Sequence, residues 1–416
     1  MKKVGICILV VLMAIGSMAF AQGTSETGTQ PKKVAQVEYL CLKNEIVPVM
    51  TTLTDKFNKE NVDVQVQLVS SPEAATVLKT RIAANDLPDV FNSYPAEMLY
   101  KGYANDGLLM NLTGQAFLNN ISPSFVDLIK QDGKVYALPV TMSVYGIYYR
   151  KDLFAKYGLT APKTYDELIA DCKVLKQNGI IPIAFSDKTM WTVGQIMERL
   201  MGVVNPQMDT EFRKVASGEL DIHKAPGLNT FIKMMLELHQ YSYQDTLSME
   251  YETCLADVVQ GKAAMIIAGS WALSSMETNN PDIDKNIELI PFPSPSGDTL
   301  VPVNVDTSYS ISATTKNKDA ALKFLDFLSK TENEQIYVDQ EKTPNMTKGV
   351  TYNVGPHKLM SDYLQSGKIF LTLVNVWPSG LREEMRTVTQ QLYMDRDTEK
   401  YLQAVNKAIG KYYKNK

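Results

Sequence analysis

The chain reads as an α/β protein built in two lobes, and three observations carry that reading. Its 416 residues exceed the length of one ordinary domain two- to threefold. From Val34 onward the hydrophobic pattern alternates between the period of a strand and the period of a helix, in the order β-α-β-α-β that builds a parallel sheet. The hydrophobic share of 45% is that of a soluble globular protein.

The N-terminus is not part of that pattern. In MKKVGICILVVLMAIGSMAFAQG, Lys2 and Lys3 precede an apolar run, and Ala19-Phe20-Ala21 follows it. Charge, apolar core and small-residue site in that order predict a secretory signal peptide over residues 1–21, cleaved after Ala21. An uncleaved anchor is the alternative, because the run is almost long enough to span a bilayer. Cys7 lies inside the apolar core and none occurs near Ala21, so no lipid-attachment cysteine is expected and the mature protein should be periplasmic. Residues 22–33, QGTSETGTQPKK, are small and polar and predict a flexible leader.

Folding should begin near Val34. VAQVEYLCL reads as a strand, and Val49, Leu53 and Phe57 recur at helical spacing in the segment that follows. Val62, Val64, Val66 and Leu68 alternate strictly, predicting a second strand; a helix fits Glu73 to Asn85, and LPDVFNS supplies a third strand. ALPVTMSVYGIYYR, residues 137–150, sounds like a strand buried on both faces, yet carries Thr141, Ser143 and Gly146. It is expected to bend around TMSVYG while passing from one lobe to the other. Helical spacing then returns through Leu168, Cys172 and Leu175, stopped by Asn178-Gly179, and IIPIAFS is a short strand leading to Trp191. Residues 226–241 are amphipathic through Leu228, Phe231, Met235 and Leu238. Ala263 to Ala268 form an apolar strand just before Gly269-Ser270-Trp271. IPFPSPSGD reads as a proline-rich surface excursion, and LVPVNVDTSYSISA as strand. NKDAALKFLDFLSK is a helix with Ala321, Phe324, Leu325 and Leu328 inward. After an irregular region from Thr343 to Pro356, two further helices close the chain, the last with Leu402, Val405, Ile409 and Tyr412 on one face.

Composition excludes several functions. A net charge of −4 lacks the basic stripe that holds nucleic acid. Cys41, Cys172 and Cys254 are odd in number with no C-x-x-C spacing, so they read as buried or free thiols. Neither a phosphate-binding loop, a nucleophile elbow nor a zinc spacing is present, and no cofactor, metal or catalytic activity is expected. Of the three histidines, His239 sits beside an apolar helix face and reads as structural.

In α/β sheets, ligands gather beyond the carboxyl ends of the strands, where loops and helix N-termini converge. That singles out residues 43–45, 70–73 and 92–94. Tyr94, Tyr145, Trp191, Trp271 and Trp377 all fall near expected strand ends or turns. Aromatic faces stack on the C–H face of a sugar while neighbouring polar side chains bind its hydroxyls; Trp271 with Ser270, and Trp377 with Arg382, offer both. Each tryptophan would serve core packing as well.

Several segments in order resemble the extracellular solute-binding proteins of ABC importers, in the sugar-binding branch that includes maltose-binding protein. They are LPDVFNS, YANDGLLMNLT, DGKVYALPVTMSVYGIYYRKDLFAKYGLTAPKTYDELI, GKAAMIIAGSWA and ALKFLDFLSKTENEQIY. The resemblance implies a two-lobed periplasmic-binding-protein fold with a ligand cleft and multiple hinge crossovers. One lobe would hold residues 34–141 plus 305–343, the other 142–304 plus 344–416. It implies a monomeric carrier that passes a small-molecule ligand, a sugar, to the transmembrane permease of an ABC importer. The residues matching cleft-lining segments are Asn44, Glu45, Ser93, Tyr94, Ser143, Tyr145, Trp191, Ser270, Trp271, Asp306, Trp377 and Arg382. Relatives often carry an aromatic residue after the first strand, where this chain reads CLKNE. A secreted glycan-active enzyme, a carrier of a non-sugar solute, and an adhesin are the competing readings, the first motivated by the same aromatics and abundant carboxylates.

Overall fold

A computed structural model of the protein describes residues 34–297 and 299–413; the expected signal peptide, the leader and Cys7 lie outside them. Two sheets organise the chain. The strands in order are β1 Ala35–Cys41, β2 Val64–Ser70, β3 Val90–Ser93, β4 Leu138–Pro139, β5 Met142–Arg150, β6 Ile181–Ala184, β7 Ala263–Gly269, β8 Ile287–Ile290, β9 Val301–Val305, β10 Ser308–Ile311 and β11 Ile369–Leu371. The first sheet runs β2-β1-β3-β10-β4, and the second β11-β9-β5-β7-β6, with β8 also on β5. β1 pairs in parallel with β2 and with β3, as the β-α-β-α-β pattern requires.

Helices bury the sheet faces. Helix Val47–Glu60 turns Val49, Leu53 and Phe57 inward, and helix Lys318–Leu328 buries Ala321, Phe324, Leu325 and Leu328. Phe57 meets Phe324 and Phe327 edge to face at 5.1 and 5.2 Å, geometry that aromatic quadrupoles favour. Thr164 and Glu167 form a reciprocal capping box that starts helix Tyr165–Gln177. Cys41, Cys172 and Cys254 are free and buried.

The chain passes between sheets from β4 to β5, from β9 to β10, and again after helix Thr331–Glu341. These passages are hydrogen-bonded to one another. The Thr141 hydroxyl accepts from the Thr307 amide at 2.8 Å and the Asp306 amide donates to the Thr141 carbonyl at 2.9 Å. Met142 N–H donates to Pro344 O at 2.9 Å, and Met346 N–H to Val140 O at 2.8 Å. The polar Thr141 inside an apolar run is thus a joint between crossing segments.

Two expectations are corrected. Residues 142–150 are not interrupted at TMSVYG; they form one continuous, fully buried strand of the second sheet. Gly146 is there because β8 comes so close that a Cβ would lie 2.1 Å from the Ile290 carbonyl oxygen. Nor is the whole proline-rich stretch a surface excursion; of its described residues only Ser296 and Gly297, at its far end, are exposed. Residues 290–294 are buried, with Phe292 in the core and the Ser294 hydroxyl donating to Val203 O at 3.0 Å.

Candidate ligand-binding site

The second sheet lays down an aromatic floor. Antiparallel pairing sets Tyr145 of β5 opposite Gly269 of β7, and Trp271 follows immediately. The Trp271 ring folds back over Gly269 so tightly that a Cβ there would lie 1.9 Å from Cζ3, which is why glycine precedes Ser270-Trp271. Tyr145 and Trp271 meet at 5.9 Å between centroids, and the Arg199 guanidinium lies 4.8 Å from the Tyr145 centroid, a cation–π distance. Trp191, in the first turn of helix Met190–Val204, meets Tyr251, the first residue of helix Tyr251–Val259, edge to face at 4.7 Å.

Charged groups flank the floor. Glu198, fully buried, pairs with Arg199 and with Arg382, whose Nε is 3.1 Å from its Oε2. Glu97, which leads into helix Met98–Asn105 of the first lobe, faces this group. Burial pushes its carboxyl up to about 7, against the pull of Arg382. Beyond β1, the buried Lys43 Nζ reaches both Asp306 oxygens at 3.0 and 3.1 Å and the Thr307 hydroxyl at 3.3 Å. Burial works to lower the Lys43 pKa, but Asp306 and Glu45 more than offset it and the net direction is up. Glu341 is pushed up to about 8 by burial, with Lys43 opposing. Its Oε2 accepts from the Ser274 hydroxyl at 3.4 Å, a contact from helix Ala272–Asn279 of one lobe to helix Thr331–Glu341 of the other.

The structure brings together Glu45, Tyr94, Tyr145, Trp271, Asp306 and Arg382, with Trp191 reached through Tyr251. Tyr94 lies within electrostatic reach of Asp306, Glu45 and Glu97, and Tyr251 within reach of Glu45 and Tyr145. The remaining positions are placed differently. Asn44 is exposed at the start of a short 3-10 turn. Ser93 is buried in the first sheet, its hydroxyl accepting from Ser310 at 2.8 Å. Ser143 is buried in the sheet ladder opposite Asn304. Trp377 is buried among helices of the second lobe, stacked on Phe212 at 5.7 Å and 19°. Ser270 is buried beside Trp271, its carbonyl accepting from the Tyr148 hydroxyl at 3.1 Å while its own hydroxyl has no partner among the described residues.

Lys43 fell within a segment singled out from the sequence, whereas Glu97, Glu198, Arg199, Tyr251 and Glu341 escaped that reading. One signal was available: Glu198-Arg199 interrupts the otherwise apolar GQIMERLMGVV, and a charged pair inside an apolar helix has to find partners. Of the histidines, His239 is buried with Nε2 2.9 Å from Asp187 and Nδ1 2.7 Å from Met235 O; His357 is buried between Tyr148 and Tyr352; His223 is exposed between Asp221 and Glu399.

Two sheets joined by hydrogen-bonded crossings, with aromatic and charged side chains from both meeting between them, define a bilobal binding protein that encloses a small solute. Its family follows from comparison: the family described as bacterial extracellular solute-binding protein matches residues 44–335, and the chain belongs to it. Proteins of this family bind substrates rather than convert them, and work in the periplasm or outside the cell. The chain is similar to the multiple sugar-binding protein of Streptococcus mutans, at 27% identity over 417 residues, covering 97% of this chain and 96% of that one. It is similar to the melibiose/raffinose/stachyose-binding protein MelE of Bacillus subtilis at 22% identity over 374 residues, 87% of this chain and 85% of that one. The solved structure of RafE in complex with raffinose superposes with a TM-score of 0.80 at 25% identity, over 91% of this chain and all of that one. The apo form of RafE from Streptococcus pneumoniae reaches 0.71 at 26% identity, over 92% and 99%.

Proposed function

We propose that the protein binds a carbohydrate between its lobes and delivers it to the permease of an ABC importer. One observation carries the reading: a row of aromatic rings, Tyr145, Trp271, Tyr251 and Trp191, bordered by buried polar atoms that lack partners among the described residues. These include the hydroxyl of Ser270, the residue before Trp271, and the Tyr251 hydroxyl, which lies beside the Trp271 indole without a hydrogen bond of normal geometry. Buried polar groups of this kind are costly unless satisfied, and a polyhydroxylated ring with an apolar face supplies both the stacking surface and the missing partners. The names of the relatives support the same conclusion.

In this reading the protein is a monomeric periplasmic carrier, exported by the signal peptide with cleavage after Ala21, and returns its sugar chemically unchanged. Its lobes comprise residues 34–141 plus 305–343 and 142–304 plus 344–416, closing on the ligand about the hydrogen-bonded crossings. Thermal unfolding across a panel of mono- and oligosaccharides tests it, because a ligand selective for the folded state raises the midpoint. At least one sugar should do so, and Trp271→Ala should weaken its binding by about 1–3 kcal/mol. A shift with amino acids or polyamines and with no sugar overturns the substrate class.

A further inference from the structure

Behind the aromatic floor stands a chain of hydrogen bonds built on His357. Tyr148 lies three residues along β5 from Tyr145, so the two side chains leave opposite faces of the sheet. On that far face the Tyr148 hydroxyl meets Ser270 O at 3.1 Å and His357 Nε2; His357 Nδ1 meets the Tyr352 hydroxyl, which lies 3.3 Å from Lys342 O. Lys342 ends helix Thr331–Glu341 with a left-handed φ of 54°, where the chain sets out on its third passage between the sheets. A parallel link runs through Ser274, whose hydroxyl lies 3.1 Å from Trp271 O and 3.4 Å from Glu341 Oε2. The consecutive carbonyls of Ser270 and Trp271 are thus tied to the consecutive residues Lys342 and Glu341.

The protons of the His357 chain can be counted. Burial lowers the His357 pKa to about 3, so the ring is neutral and has one N–H to give. Each tyrosine hydroxyl also has one, which makes three protons for four contacts. With the ring proton on Nε2, the imidazole donates to Tyr148, Tyr148 to Ser270 O and Tyr352 to Nδ1, and Lys342 O goes short. With it on Nδ1, the imidazole donates to Tyr352, Tyr352 to Lys342 O and Tyr148 to Nε2, and Ser270 O goes short. Ser270 is fully buried, and the Leu273 amide serves its carbonyl only at a long 3.4 Å, whereas Lys342 is half-buried and within reach of solvent. A carbonyl that water cannot reach loses more by going short, which places the proton on Nε2.

We propose that His357 is a positioning residue for ligand binding: as the Nε2–H tautomer it holds Tyr148 on Ser270 O and so fixes the turn that aims the Trp271 ring, while Tyr352 anchors the imidazole from the side of the passage. The geometry by itself carries the positioning; its effect on sugar affinity rests on the carbohydrate reading.

Two measurements test it. In protein labelled with nitrogen-15 histidine, the His357 signals, assigned by their loss in His357→Gln, should show a protonated Nε2 and a bare Nδ1 at about pH 6 and about pH 8 alike, on either side of the ordinary histidine pKa. In protein labelled with fluorotryptophan, the Trp271 resonance, assigned by Trp271→Phe, should shift in His357→Phe and in Tyr148→Phe and move back in His357→Gln, which keeps a donor. Titrated with the tightest binder among galactose, raffinose, stachyose and maltotriose, His357→Phe and Tyr148→Phe should each lose roughly fivefold in affinity, and the double variant no more than either, because both break one chain. An Nδ1–H tautomer, a Trp271 resonance unmoved in folded Tyr148→Phe or His357→Phe, or additive losses in the double variant overturns the assignment. A shifted resonance in a protein that binds none of the four sugars leaves the positioning standing and overturns the carbohydrate reading.

Discussion

Glu334→Gln should stabilise the protein and flatten its pH dependence. Glu334 lies on helix Thr331–Glu341 and is fully buried; one carboxylate oxygen accepts from Asn345 Nδ2 at 2.6 Å, and the other has no partner among the described residues. Burial pushes its carboxyl up to about 8, only partly countered by the Asn345 bond. The folded protein therefore holds this proton up to about pH 8, while the unfolded chain releases it near about pH 4.3. Between those values unfolding releases a proton, so raising the pH favours unfolding and stability falls. The full gap sets a ceiling of about 5 kcal/mol; relaxation and water entry reduce it to a realistic 1–3 kcal/mol, as an order of magnitude. Glutamine matches the neutral acid in shape and keeps an acceptor for Asn345 but has no proton to lose. Urea unfolding of both proteins from about pH 5 to about pH 8 reads the effect as stability curves that diverge toward high pH. Glu341 and Glu97, pushed up to about 8 and about 7 chiefly by burial, keep some slope of the same sign in the variant. Parallel curves would refute the argument, since they would mean that Glu334 folds already ionised.

Two further outcomes follow from buried groups. Lys43→Met removes the cation held by Asp306 and should cost about 3–5 kcal/mol, because it strands a buried carboxylate beside Glu45; adding Asp306→Asn should recover part of the loss in thermal unfolding, and a cost below about 1 kcal/mol would show the pair to be water-solvated. His357 governs the acid side: burial lowers its pKa to about 3, whereas the unfolded chain takes up this proton near about 6.5, so stability falls as pH drops through that window. His357→Phe should flatten that limb while costing about 1–3 kcal/mol near neutrality for the bonds lost by Tyr148 and Tyr352; an acid limb unchanged in slope would count against it.

The site was only partly legible beforehand. Gly269-Ser270-Trp271 after an apolar strand could be read directly, since a glycine turn carrying an indole at a strand's end is a local arrangement. Trp377 looked equally suitable from its turn and the nearby Arg382, but its neighbour Phe212 is far away in sequence, and that stacking makes it part of a helical core. Lys43 lay in the singled-out segment after the first strand, yet its importance comes from Asp306, 263 positions on. Ser143 and Tyr145 are both held in the ladder of one strand, two residues apart and so on one face; only the ring contacts made by the longer side chain show that Tyr145 reaches Trp271 and Arg199.

By itself the sequence determined much of the local order, though not helix Met190–Val204 or strand β11: most of the strands, the parallel β-α-β-α-β start and the buried faces of helices such as Lys318–Leu328. These follow from hydrophobic period and cap chemistry, which act over a few residues. The tertiary structure decided where the chain crosses between sheets, that ALPVTMSVYGIYYR is a joint at Thr141 followed by one continuous strand, and which charges face each other across the lobes. Those depend on segments hundreds of residues apart being brought together by sheet topology, and the energy of a buried charge is set by the partner it meets rather than by its neighbours in sequence.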